Sequence, residues 1–222
     1  GQAAHHKCFG ANVFDAIIKP TLPATEGARQ GMEVEGHSDS AADFRGSSSW
    51  AATRVGDEIG RLYRQGLLAE AVARARQLDP TENPRGVLFG VQSLMEMGQF
   101  PAASALAQAA ADRCSGPAAA CLRTNSFFAA MMERPGRAAR ERLRRQIAVL
   151  TAFDDGFCRA FAKRWEARLC AFEVTVFVRP ITDLTGVVDG LEDAARLFRL
   201  AGFVEEAWGE LLRAAEVLRE IP

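Results

Sequence analysis

The stretch that decides the fold runs from Pro84 to Cys114 and reads PRGVLFGVQSLMEMGQFPAASALAQAAADRC. Apolar residues recur at helical spacing on both sides of Gly98: Val87, Val91, Leu94 and Met95 before it, and Ala103, Leu106, Ala107, Ala110 and Ala111 after it. This pattern predicts two antiparallel helices joined by a tight turn. Because one such hairpin cannot bury its outer faces, we expect further hairpins to stack against it.

The turn at Gly98 has two companions in the chain. Gly66 and Gly202, like Gly98, are each followed by an apolar residue two positions later and by an alanine five positions later. Glycine allows the left-handed backbone that ends a helix, and the small alanine lets the second helix approach the first. Gly66 and Gly98 lie about one repeat of 34 residues apart, and Gly98 and Gly202 about three. A weaker turn at Pro135 and Gly136 falls near the place of a further unit.

These turns resemble those of the tetratricopeptide repeat, in which two antiparallel helices per unit stack into a superhelix. The resemblance covers about residues 50–222 and implies an all-α solenoid of stacked helical hairpins. The pentatricopeptide repeat has a similar turn and reads RNA bases with a small polar residue of its first helix. The corresponding places here fall near Asp57, Phe89 and Asp193, which are not base-reading residues, so single-base readout of RNA is disfavoured.

Residues 51–222 are predicted to be one helical-repeat domain. Hydrophobic spacing and the positions of Gly and Pro predict helices over about 52–65, 68–78, 84–97, 100–114, 117–132, 136–150, 155–178, 190–201 and 203–220. Residues 181–189 are predicted to be a linker. The repeat period places a turn near residue 170, where no Gly or Pro occurs, so we expect one long helix instead of a hairpin there. Such a helix could change the direction of the superhelix.

Residues 1–50 are rich in Gly, Ser, Pro and small polar side chains, with one apolar series that predicts a short helix at 9–19. We expect an extended arm that orders by lying across a partner protein, with Phe9 and Phe14 as contact residues. The chain begins with Gly1 rather than Met, so we expect its N-terminus to have been either trimmed in the cell or introduced by cloning. A trimmed N-terminus favours an organellar location, in a mitochondrion or plastid.

Composition and motifs argue against several classes of function. The net charge of −1 gives no general attraction to nucleic acid or anionic membranes, and no apolar run is long enough to span a bilayer. Peripheral contact with a membrane complex stays open. The three histidines, at positions 5, 6 and 37, lie in the arm, and the sequence has neither a phosphate-binding glycine loop nor a nucleophile elbow. Asp154 and Asp155 fit the start of a helix better than a catalytic pair. We therefore expect no enzyme activity, no cofactor and no metal site.

The five cysteines show no zinc-binding or thioredoxin-like motif. Cys114 and Cys121 flank a turn and could lie near one another, but free thiols in small core positions are favoured. Cys158 and Cys170 lie on one predicted helix, too far apart to form a disulfide.

The strongest charge feature is the segment 134–145, with six arginines and one glutamate in twelve residues. The arginines are Arg134, Arg137, Arg140, Arg142, Arg144 and Arg145. An apolar stripe of Ala139, Leu143, Ile147 and Leu150 is predicted to be buried, which turns the arginines outward. Two interpretations stay open: a docking face for an acidic partner, lipid headgroups or RNA phosphates, and a solvated helix face with local ion pairs. The C-terminal hairpin has the opposite charge.

Together these features favour a non-catalytic scaffold or accessory subunit that binds other protein subunits in a larger, organellar assembly. A second hypothesis is an RNA- or ribosome-associated helical-repeat protein that uses the arginine helix at 134–145. A third is a peptide-binding adaptor with a groove along its stacked helices.

Overall fold

The computed structural model describes residues 54–177 and 184–219, and this part of the chain consists of helices joined by short turns, with no β-strand. The helices are α1 (Arg54–Arg64), α2 (Leu68–Ala75), α3 (Pro84–Glu96), α4 (Phe100–Ala111), α5 (Gly116–Glu133), α6 (Arg137–Thr151), α7 (Gly156–Phe177), α8 (Leu184–Leu200) and α9 (Val204–Arg219). The predicted all-α class is confirmed. The predicted arm at 1–50, its helix at 9–19, and the contact residues Phe9 and Phe14 lie outside the described residues. None of the described helices is long and apolar enough to cross a membrane.

The three glycine turns share one backbone geometry. Gly66, Gly98 and Gly202 have φ angles of 74°, 71° and 86°. In each turn the amide after the glycine donates to the carbonyl five positions earlier, and the glycine amide donates to the carbonyl three positions earlier. This pairing is the Schellman motif that ends a helix, and it satisfies carbonyls that would otherwise lack partners. The repeated turn predicted from the sequence is therefore confirmed at all three positions.

The alanine five residues after each turn glycine is buried, as predicted: Ala71, Ala103 and Ala207 are at most 5% exposed. The burial of the apolar residue two positions after the glycine differs between the three turns. Leu68 and Phe100 are half-buried, whereas Val204 is exposed, so the third turn does not bury its apolar residue.

The hairpins stack through their first helices. Pairs α1 with α2, α3 with α4 and α5 with α6 form successive hairpins, and α1 packs on α3, α3 on α5, and α5 on α7. The largest buried side chains of the shared core include Trp165, Phe161, Phe198, Leu94 and Leu122. One line of first helices therefore runs through the described part of the chain, which is the arrangement expected for stacked helical hairpins.

The C-terminal end departs from two-helix units. The single long helix predicted near residue 170 is confirmed as α7. The predicted linker at 181–189 is wrong from Leu184 onward, because α8 begins there and continues to Leu200. Its first turns carry Leu184, Val187 and Val188, which are buried against α7 and α9 and stabilise helix at this position. Helix α8 packs on both α7 and α9.

Cys114, Cys121 and Cys158 are free thiols in the described part of the chain. Cys121 does not meet Cys114. Its Sγ lies 3.7 Å from the Sγ of Cys158, and both side chains are fully buried. Burial raises the pKa of the Cys121 thiol, and the hydrogen bond with Cys158 adds to this shift, so Cys121 acts as an apolar core residue.

Candidate functional site

Helix α6 carries the arginine-rich segment, and its inner face is buried as predicted. Leu143, Ile147 and Leu150 are buried, and Ala139 is half-buried against the same core. The arginines therefore lie on the sides and the outer face of the helix.

Two of the six arginines neutralise a buried carboxylate on the next helix. Arg140 Nη1 lies 3.4 Å from Glu173 Oε1, and Arg144 Nη2 donates to the same oxygen. Arg144 Nη1 also donates to Glu141 at 3.1 Å. Because the side chain of Glu173 is buried, these contacts compensate its lost hydration and hold α6 against α7. Arg140 and Arg144 thus have a structural role that the sequence pattern could not distinguish.

The other arginines face solvent. Arg137, Arg142 and Arg145 are exposed and make no ion pair within the described residues. Arg134 is 88% exposed, with its Nε 3.7 Å from a carboxylate oxygen of neighbouring Glu133. We call Arg134, Arg137, Arg142 and Arg145 the arginine surface.

Helix α9 shows an inverted distribution of polarity. Its side facing the body of the protein carries Glu206, Glu210 and Arg213, all at least nine-tenths buried. Its outer side carries large apolar residues, which we call the α9 stripe: Val204, Trp208, Leu211, Leu212 and Leu218, each 40–61% exposed. A helix of a globular protein normally buries its apolar face and exposes its charges.

Hydrophobic spacing alone predicts that the aromatic residues of α7 and α9 lie in the core. Phe157, Phe161 and Trp165 of α7 are buried, whereas Trp208 of α9 is 61% exposed. A signal was available in the sequence. Apolar residues at 204, 208, 211, 212 and 218, together with 207, 214 and 217, surround too much of the helix for a single neighbour to cover.

The charges of α9 meet arginines of α3 and α7. Arg85 Nε and Nη2 lie 2.8 and 2.7 Å from Glu206 Oε1, and Arg85 Nη1 lies 3.0 Å from Asp57 of α1. Glu210 Oε1 lies 2.8 Å from Arg164 Nε and 3.6 Å from Arg168 Nη2. Burial alone would raise the pKa of Glu210, but the surrounding arginines lower it below its ordinary value.

A second group of buried polar residues lies beside these pairs. Tyr63 of α1 donates from its hydroxyl to Glu96 of α3, and Arg213 of α9 lies 3.4 Å from that hydroxyl and 4.0 Å from Glu96 Oε1. Burial raises the pKa of Glu96 to about 7, although the hydrogen bond from Tyr63 and the charges of Arg213 and Arg168 oppose the shift. Burial also raises the pKa of Tyr63.

The buried arginines also lie close to one another, which affects Arg168 most. Burial lowers the pKa of Arg168 to about 9, and repulsion by Arg213 and Arg164 adds to this, while Glu210 opposes it. Four buried arginines and the carboxylates of Glu96, Glu206 and Glu210 form one group, to which Asp57 adds a fourth carboxylate at Arg85. We call it the buried charge cluster; its residues are Tyr63, Arg85, Glu96, Arg164, Arg168, Glu206, Glu210 and Arg213.

A cavity of about 190 Å³ lies between α9 and helices α1, α3 and α7. We call it the α9 cavity. Its wall combines aromatic rings with most of the buried charge cluster: Tyr63, Phe89, Phe157, Phe161 and Trp208 lie beside Arg85, Arg164, Arg168, Arg213, Glu206 and Glu210. Helix α9 therefore covers the side of the stacked hairpins formed by their first helices and leaves a small space beneath it.

Asp155 caps α7, as the sequence predicted. Its Oδ1 accepts a hydrogen bond of 2.8 Å from the backbone amide of Cys158, and its side chain is buried. Asp154 points outward and pairs with Arg159. The two carboxylates thus serve different local contacts at the start of the helix.

The described part of the chain is thus an all-α protein of stacked hairpins whose last helix exposes its apolar side. In comparisons with known proteins, no family model, no curated protein and no solved structure matches the chain.

Proposed function

We propose that this protein is a non-catalytic scaffold or accessory subunit, built of tetratricopeptide-like hairpins, that holds another protein subunit through the α9 stripe. The three Schellman turns, each followed by a buried alanine, support the repeat. The arrangement of first helices along one line is what such repeats produce.

The inverted polarity of α9 carries this proposal. Full burial of one large apolar side chain contributes about 1.5–3 kcal/mol of favourable free energy. The isolated chain does not gain this free energy for the exposed residues of the stripe, whereas a partner that covers them would. Exposed apolar patches of this kind mark protein interaction sites, and tryptophan is enriched among the residues that dominate binding energy. Trp208, at the middle of the stripe and 61% exposed, is the expected anchor.

The charge around the stripe indicates the chemistry of the partner. Helices α8 and α9 together carry seven acidic and four basic side chains. Glu206, Glu210 and Arg213 are buried and Glu216 is half-buried, which leaves four acids and three arginines toward solvent. A partner subunit that offers an apolar surface edged by Lys or Arg would complement this hairpin.

Substitution on the stripe tests the proposal. The double variant Trp208→Glu, Leu212→Glu should bind the native partner subunit at least about 100-fold more weakly, because it places two charges in a desolvated contact. Val149→Glu is the matched control, since Val149 is 45% exposed on α6 and lies outside the stripe. Co-purification followed by titration of the isolated partner measures the effect. Equal binding by both variants would refute the stripe as the interface.

A second candidate function rests on the arginine surface. Arg137, Arg142 and Arg145 have no ion pair within the described residues, so they are free to contact RNA phosphates. The triple variant of these residues to Glu should bind RNA much more weakly, and the salt dependence of the remaining binding should become shallower. The control reverses the exposed Arg74, Arg76 and Arg123, which changes the net charge equally. An equal loss of RNA binding in both triple variants would show that only nonspecific electrostatic attraction is involved.

The peptide-adaptor hypothesis has less support. The space between α9 and the first helices, about 190 Å³, is below the roughly 300–1,000 Å³ of ordinary ligand pockets, and an extended peptide would have to displace α9.

A further inference from the structure

We propose that the α9 cavity binds a small apolar α-amino acid, with the ligand carboxylate on Arg168, the ammonium on Glu210 and the side chain among the aromatic rings. This inference does not rest on the proposed scaffold function, although Trp208 and Leu212 of the α9 stripe also line the cavity.

The size and the wall of the cavity suit such a ligand. Its volume of about 190 Å³ exceeds the roughly 150 Å³ of an engineered cavity that binds benzene. Phe89, Phe157, Phe161 and Trp208 supply apolar rings, and the polar groups converge from α3, α7 and α9. Mostly apolar walls with a few placed polar groups are typical of small-molecule sites.

Arg168 has no close ion pair, although it is buried. Its shortest ion pair is 3.6 Å, to Glu210, whereas Arg85 and Arg164 each have a carboxylate oxygen within 2.8 Å. Arg168 Nε has no hydrogen-bond partner, although the residue is only 6% exposed. A buried guanidinium with an unused donor is suited to binding the carboxylate of a ligand.

The acceptors required for an ammonium lie next to this donor. Glu206 Oε2 and Glu210 Oε2 have no hydrogen-bond partner, and both residues are more than nine-tenths buried. A simple carboxylic acid would satisfy Arg168 but leave these oxygens unpaired and would be repelled by them. Because Glu210 is adjacent to Arg168, the carboxylate and ammonium of one α-amino acid can reach both groups.

Thermal unfolding and calorimetric titration of the full chain test this proposal with L-phenylalanine and L-leucine as probes. Two analogues of phenylalanine remove one charge each: phenethylamine lacks the carboxylate and 3-phenylpropionate lacks the amine. We expect saturable binding of at least one amino acid, which raises Tm, and at least about tenfold weaker binding of both analogues. Absence of saturable binding by either amino acid would overturn the proposal, as would equal affinity for 3-phenylpropionate.

Variants locate the site. Arg168→Met should remain folded, because it deletes a cation without a close partner, and should lose the ligand-induced rise in Tm. Arg168→Lys keeps the charge without the bidentate fork and should bind more weakly than the native chain. Arg145→Met, on the exposed side of α6, is the control and should bind as the native chain does. Unchanged binding by a folded Arg168→Met variant would contradict the assignment. Binding of the partner subunit is measured separately, so either proposal can fail without the other.

Discussion

At the scale of single residues, Glu96 should make the stability of the fold depend on pH. Its pKa rises from 4.5 to about 7, because it is buried among Tyr63, Arg168 and Arg213. A raised carboxyl pKa means that the protonated form stabilises the fold. The contribution is complete below the unfolded pKa and is lost as pH rises through about 7.

The variant Glu96→Gln tests this dependence, because glutamine resembles the protonated acid and does not titrate. Between about pH 4.5 and 7, the free energy of unfolding of the variant should increase relative to that of the native chain by up to about 1.4 kcal/mol per pH unit. Urea unfolding across this range measures the difference. A difference that does not change with pH would show that Glu96 is ionised in the fold.

Glu173 should contribute more to stability than a surface carboxylate. It is buried between Arg140 and Arg144, and its removal leaves both arginines without their shared partner. Glu173→Ala should lower the free energy of unfolding by about 1–3 kcal/mol. The control Glu141→Ala removes an exposed pair with Arg144 and should cost less than about 1 kcal/mol. Similar losses from both variants would place Glu173 in a solvated environment.

Single residues also show what sequence can and cannot predict. The turn glycines and the Asp155 cap were predictable, because each depends on neighbours within five residues. The buried charge cluster was not, because Arg85 and Glu206 are 121 positions apart and meet only after the hairpins have stacked. The sequence also could not predict which arginines of α6 are paired and which are exposed, because their partner Glu173 lies on another helix.

At the scale of helices, the close approach of α2 and α3 depends on Gly90. A Cβ atom at this position would lie 2.3 Å from the Cβ of Ala75, which is far inside van der Waals contact. Gly90→Ala should therefore force the two helices apart and destabilise the fold by about 1–3 kcal/mol.

The control for this prediction is Gly209→Ala in α9. No atom lies within 4 Å of a Cβ added there, and alanine in a helix interior is favoured over glycine by about 1 kcal/mol. The control should thus be neutral or stabilising, and thermal unfolding of both variants checks the pair. A stabilised Gly90→Ala variant would show that α2 and α3 are farther apart than described.

The limits of the helices were predictable where Gly or Pro ends a helix, and less predictable elsewhere. The start of α8 was predicted at residue 190, yet it lies at Leu184, because burial of Leu184, Val187 and Val188 extends the helix. The orientation of α9 was also not predictable. Both of its sides carry apolar residues, and the contact of Glu206 and Glu210 with arginines of α3 and α7 decides which side faces inward.

At the scale of the whole molecule, the chain has two charged regions, and we propose a different contact for each. The arginine surface on α6 and the acidic hairpin of α8 and α9 lie on different helices, so a larger assembly could use both without competition. The all-α class followed directly from the sequence, because hydrophobic periodicity and turn chemistry act locally. The partner did not, because the α9 stripe becomes visible only when one knows which side of α9 is covered.

Hydrogen exchange of the protein, alone and in its native assembly, tests the central claim most directly. If α9 holds a partner subunit through its apolar side, amides of Val204–Arg219 should exchange more slowly in the assembly, with α2 as an unaffected internal reference. Protection confined to α6 would favour the arginine surface instead. An α9 that exchanges at the same rate in both samples would contradict the account.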